Sequence, residues 1–342
     1  KPKNLISIND EKDIIFKEVK KSSGQTYRVI LIKNARIYTD RIHDTAIIHK
    51  DRLVKEASFQ HRKTEKQTIV FDIPESNKVL RIGTPRILKK FNGKVLSLLT
   101  GGGGNDKYFH WLFDVLPRLE ICNDFLDYNK FDYYLVPDYK FSYQIETLKL
   151  LGISSEKIIN SSKIKHLTSS EIYVTDHPNV KKEYDQLIWQ PPLWTINWLR
   201  EVFINKTQKK VFPEKFYIDR SDTDSSNRTI NNEDEVKETL KKKGYEFIKI
   251  SELDYLDEVC LFNSAKEIVG LHGSGLSNLV YCNKDVKVIE FAHPKKHNFF
   301  KNISKVMNLN YHSILPEGKD INYISEQSFH LKIPINSLEE KL

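Results

Sequence analysis

Only three cysteines occur in 342 residues, Cys122, Cys260 and Cys282, and none stands in a CxxC spacing. Neither a disulfide framework nor a cysteine zinc cluster is expected, and a reducing compartment is the simplest setting. Long hydrophobic runs are missing too. No apolar stretch approaches the roughly 18 residues of a spanning helix, which excludes a polytopic membrane protein. There is no internal repeat, no zinc finger, no RNP motif and no basic zipper, so the usual nucleic-acid modules are absent. No targeting segment is visible in the sequence as given.

What is present is ordinary globular material. Charged residues make up 29 % and hydrophobic ones 39 %, with a mean hydropathy of -0.50. Such a composition excludes a fibrous or wholly disordered chain. At roughly 150 residues per domain the length suggests two domains, each able to bury a core without staples. The formal net charge is +8. The bases sit in short clusters such as Lys241–Lys243, interleaved with acids. That excess suits anionic small molecules or a membrane surface, and nucleic acid is not an expected partner. A nucleic-acid-binding protein is a rival supported by the charge alone, and salt-dependent retention on DNA would mark it.

Along the chain, residues 1 to about 95 read as strands separated by polar turns, as in Tyr27–Ile32. From Lys94 onward strands alternate with helices. A buried strand at 94–99 runs into a glycine run, Gly101–Gly104, and a helix from about Tyr108 to Phe125. After Gln190-Pro191-Pro192, the residues Trp194, Trp198, Leu199, Val202 and Phe203 share one helical face. This segment reads as an inter-domain helix, with a membrane-surface helix as the alternative. The C-terminal half alternates strand and helix cleanly, with Asn232 and Glu235 at capping-box spacing and Ser251 as a cap. Such alternation argues for an open parallel sheet covered on both faces.

Four constellations carry chemistry. In Phe109-His110-Trp111-Leu112-Phe113-Asp114, His110 and Asp114 are four apart and share a helix face. That spacing suits a general base with an orienting carboxylate, in either assignment. The preceding glycines permit close backbone approach to a ligand, which makes Gly103, Gly104 and Asn105 candidate acceptor or sugar contacts. In the second constellation, Gly270-Leu271-His272-Gly273-Ser274-Gly275-Leu276-Ser277-Asn278 lies between a strand and a helix, where helix amides can hold a phosphate. Third, Asp219-Arg220-Ser221, followed by Arg228, places planar guanidinium groups at another strand end. Fourth, Glu290 in Val288–Phe291 offers a carboxylate suited to ribose hydroxyls. Arg220, Arg228, His272, Gly273, Ser274, Gly275, Asn278 and Glu290 together describe a site for a nucleoside diphosphate. Asp222-Thr223-Asp224 has metal-binding spacing but lies in a polar loop, so no metal and no cofactor are expected.

The stretches His110–Leu119 and Gly270–Asn278 resemble glycosyltransferase family 61. The Asp-Arg-Ser…Asn-Arg…Asn-Glu segment at 219–233 and Val-Ile-Glu-Phe at 288–291 fit the same pattern. The resemblance spans roughly residues 90–315. Ser274 stands where alanine is common in the family's His-Gly-Ala-Gly form. The resemblance implies an α/β, GT-B-like fold: two Rossmann-like domains facing a cleft, with extra N-terminal β-strands. It also implies a nucleotide-sugar donor held by the C-terminal half, and inversion at the anomeric carbon. The division expected is an acceptor-side domain at 1–190, an inter-domain helix at 191–212 and a nucleotide-sugar-binding α/β domain at 213–342. The resulting expectation is a cytoplasmic, metal-independent transferase of the bacterial branch. It would move a sugar from a UDP-sugar to a glycan or lipid-linked glycan of capsule or lipopolysaccharide, in peripheral contact with the inner face of the membrane. The rival from another class is a nucleotide- or glycan-binding scaffold that has lost catalysis, which release of nucleotide from a donor would exclude.

Overall fold

The computed structural model describes residues 2–40, 42–60, 62–63, 69–70, 73–99, 107–178, 191–222, 228–293, 298–316, 322–325 and 328–342. It is a mixed α/β protein that divides into two compact units, Lys1–Trp198 and Leu199–Leu342. The division falls inside the helix Leu193–Ile204. Trp194, Ile196, Trp198, Leu199 and Phe203 of that helix are buried, as expected for an apolar stripe. Trp194 Nε1 donates to Tyr27 Oη at 2.8 Å, and Arg200 Nη1 donates to the carbonyls of Val280 and Cys282. This corrects the membrane-surface reading of the helix, because its apolar face is already covered.

The first unit is built on an eleven-stranded mixed sheet. Its spine is the strand Thr26–Thr39, whose Val29–Ile32 run is buried throughout. Such an aliphatic, mostly β-branched run forms a strand covered on both faces. It pairs antiparallel with Ile14–Lys20, with Asp44–His49, and along its length with His166–Thr175. His166–Thr175 in turn pairs parallel with Lys94–Ser97, followed outward by Tyr133–Val136 and Ile158–Asn160, all parallel. The β-rich start and the α/β segment therefore share one sheet, and this unit is not an open parallel sheet of its own.

The second unit carries a five-stranded sheet that is parallel throughout, as the strand–helix alternation predicts. Across the sheet the strands run Glu246–Ile248, Lys215–Ile218, Glu267–Leu271, Lys287–Phe291, Asn310–Ile314. In chain order this is 2-1-3-4-5, a doubly wound arrangement whose order reverses beside Lys215–Ile218. Tyr217, Val269, Leu271, Ile289 and Phe291 pack in one core with Val236 and Leu240 of helix Glu233–Lys242 and Leu338 of helix Ile335–Glu339. On the opposite face Phe216 meets Phe262 of helix Tyr255–Ser264 edge to face. A separate small sheet joins Arg228–Ile230 in parallel to Ser328–Leu331.

Two expected caps are not formed. Asn232 bonds the backbone of Ile333 in both directions and donates to the Glu235 side chain at 3.1 Å, but it makes no side-chain cap to the helix backbone. Ser251 lies in a 3-10 turn, Ile250–Glu252, and donates to Asp222; the following helix begins after Asp254. All three cysteines are free thiols. Burial pushes the Cys122 thiol up to about 12, leaving it inert.

Candidate active site

The expected helix at 108–125 is present, but its middle is a π-helix. A helical turn at Tyr108–His110 passes into π-turns at Trp111–Val115 and returns to α-helix at Pro117–Asn123. Pro117 has no N–H for the carbonyl of Phe113, and its ring would crowd that carbonyl in a regular helix. A wider turn relieves both, and Leu116 N closes it on Trp111 O at 3.0 Å.

Asp114 sits in that wide turn and is 3 % exposed. Its Oδ2 meets His110 Nδ1 at 2.5 Å, and its Oδ1 lies 3.5 Å from His177 Nε2. Burial alone would raise the Asp114 carboxyl. His177, His110 and Arg118 outweigh burial and hold it below the ordinary carboxylate range. The carboxylate is thus ionised at neutral pH, and its oxygens point at two imidazoles.

Arg118 ties this turn to the strand end that carries His177. It is fully buried, donating from Nε to Asp114 O at 2.7 Å and from Nη1 to the carbonyls of Thr175 and Asp176 at 3.1 and 3.2 Å. Burial pushes its guanidinium down to about 9, which leaves it charged at neutral pH. The segment is anchored from the other side as well. Arg28 forks onto Asp176, and Tyr27 Oη donates to Pro178 O. Neither His177 nor Arg118 was among the sequence candidates. The signal for His177 is the polar run Thr175-Asp176-His177-Pro178 closing a strand. For Arg118 it is a base inside an otherwise apolar helix, Leu116–Ile121.

In the second unit, the loops after Lys215–Ile218 and Glu267–Leu271 leave adjacent parallel strands where the strand order reverses. Ligands of open α/β sheets bind at this place. The first loop brings Arg220 and the second His272. Arg228 and Arg220 both donate to the carbonyl of His272, at 2.9 and 3.5 Å. Burial, then the neighbouring Arg220, push Arg228 down to about 10. Gly273 is needed for space rather than for backbone freedom: a Cβ there would overlap Arg220 Nη1. Ser274–Tyr281 is a 3-10 helix, so Ser274 and Gly275 supply the amides at its start.

His272 Nδ1 is bonded to Glu290 Oε1, and Tyr311 Oη donates to Glu290 Oε2 at 2.6 Å. Glu290 is 2 % exposed. It orients His272, and this corrects the expectation of a carboxylate held ready for ribose hydroxyls. Asn278 is likewise turned into the core, donating to Glu258 at 2.7 Å. Ser274 is exposed and Gly275 half-buried. Gly103, Gly104 and Asn105 lie outside the described residues, as does Asp224. Among the described residues one group has metal-ligating proximity, Glu11, Asp13 and His49, and Lys50 and Arg52 already bridge its carboxylates.

Residues 108–289 match the model of the family described as Glycosyltransferase 61. That span takes in His110, Asp114, Arg118, His177, Arg220, Arg228 and His272. None of the curated proteins matches the chain.

Proposed function

The chain belongs to the glycosyltransferase 61 family, and from that premise we propose that it is an inverting, metal-independent enzyme using a nucleotide-sugar donor. The observation that carries the donor reading is the pair of half-buried arginines at the switch point, both directed at His272 O. A diphosphate bound there relieves their mutual repulsion and uses their planar forks. The amides of Ser274 and Gly275 add neutral donors to the same oxygens.

The acceptor side is assigned to His110. Asp114 is buried, with an imidazole at each oxygen, so it orients rather than receives the proton. His110 binds it through Nδ1, leaving Nε2 as the basic atom. In the proposed step His110 Nε2 takes the acceptor hydroxyl proton as that oxygen bonds to the anomeric carbon. The bond from that carbon to the diphosphate breaks, and the electron pair leaves with the nucleotide. Asp114 stabilises the imidazolium that forms. Attack opposite the leaving group inverts the centre. The base thus belongs to the first unit and the donor-binding residues to the second. The donor class favoured is a UDP-sugar. The acceptor is a glycan or lipid-linked glycan of capsule or lipopolysaccharide, at the inner face of the membrane.

The test is a panel of nucleotides and nucleotide sugars screened by thermal shift, followed by transfer to glycan acceptors with NMR of the new anomeric centre. A true donor at about 100 times its dissociation constant stabilises by about 2.7 kcal/mol. Retained configuration, or no stabilisation by any nucleotide, contradicts the reading.

A further inference from the structure

The stretch Arg81–Lys90 exposes four cations and three large aliphatic side chains within ten residues. Arg81, Arg86, Lys89 and Lys90 are all exposed, and none of the four forms an ion pair among the described residues. No aspartate or glutamate occurs anywhere from Ser76 to Asn105, although the chain holds 46 acids in all. Between these cations lie Ile82, Ile87 and Leu88, with exposures of 50, 82 and 46 %. Ile73, a little upstream, is exposed as well.

The stretch is held in place. His166 Nδ1 contacts the carbonyl of Arg86 at 2.8 Å, Arg36 Nη1 donates to Thr84 Oγ1, and Lys89–Lys90 pair with Leu167–Thr168 of the central sheet. The backbone is fastened while the side chains are presented to solvent. Exposed aliphatic side chains cost free energy in water, so their grouping marks a contact surface.

We infer that this stretch docks the protein on an anionic lipid bilayer surface. Cations at the headgroup level meet lipid phosphates, while Ile82, Ile87 and Leu88 enter the boundary between headgroups and acyl chains. A second copy of the chain is disfavoured, since two such surfaces repel each other. A soluble acidic polymer satisfies the cations but leaves the aliphatic side chains in water. The contact goes beyond the transfer reaction and is read without it, so either can fail alone.

Sedimentation of the full chain with phosphatidylcholine vesicles, with and without phosphatidylglycerol, tests the inference. Binding is expected only to the anionic vesicles, weakening as salt screens the charges. A triple variant, Arg86→Glu, Lys89→Glu and Lys90→Glu, should lower partitioning about a hundredfold, at roughly fivefold for each of the three cations removed. A second variant, Ile87→Ser with Leu88→Ser, should also weaken vesicle binding while leaving retention on heparin unchanged. These surface changes should leave the melting temperature near that of the wild type. Equal sedimentation with neutral and anionic vesicles overturns the inference. So does anionic-vesicle binding that neither variant affects, or retention on heparin without any vesicle binding.

Discussion

His110 and His177 share one buried carboxylate, and that sharing separates the roles of base and orienter. His110→Ala removes the proton acceptor, whereas Asp114→Asn keeps a polar group beside the imidazole. Transfer assays should therefore show Asp114→Asn retaining more activity than His110→Ala, with nucleotide affinity unchanged in both. The reverse order would make Asp114 the base. Asp114 has a stability signature as well. Its pKa in the fold is depressed below the unfolded value, so its contribution is fully present above about pH 4. That contribution is lost as pH falls through the folded value. Denaturation midpoints of wild type and Asp114→Asn should therefore converge in acid and separate above that pH. The His110–Asp114 pair was legible because helical spacing is written in the sequence. His177 was not: it reaches Asp114 from another strand end, and only the fold creates that neighbour.

At the scale of elements, the loop after Glu267–Leu271 shows how a small residue serves a distant one. A methyl group on Gly273 overlaps only the tip of Arg220, a flexible group that can swing away, and makes ordinary contact with Arg228. Gly273→Ala should therefore fold with a melting temperature near that of the wild type, yet bind nucleoside diphosphate more weakly because Arg220 is displaced. Normal affinity in calorimetry would separate Gly273 from the arginine site. The glycine loop between a strand and a helix was legible in the sequence, and it lies between Glu267–Leu271 and Ser274–Tyr281. The engagement of Glu290 was not, because its partner Tyr311 comes from the next strand, Asn310–Ile314. The π-turn was equally hidden: Pro117 announces a disturbed helix, but not whether the chain bends, breaks or widens. The two misread caps have a common cause. Asn232 and Ser251 found tertiary partners, Ile333 and Asp222, that competed with the local hydrogen bonds their spacing suggested.

At the scale of the molecule, the sequence revealed a parallel sheet in the second unit but not its order, since 2-1-3-4-5 depends on which strands pair. In the first unit the merger of N-terminal strands with the α/β segment was out of reach for the same reason. That order matters because it places Arg220 and His272 at one switch point. If their charges and amides carry the leaving diphosphate, no divalent ion is required. Excess EDTA should then leave the transfer rate much the same; loss restored by Mn²⁺ would point to Asp222 and Asp224 as a metal loop. The anion site stands or falls on a calorimetric titration of UDP into the wild type and Arg220→Ala. Binding should be weaker in Arg220→Ala by about 1–3 kcal/mol, the size of a lost charge-assisted contact. Equal affinity in the two proteins would contradict it.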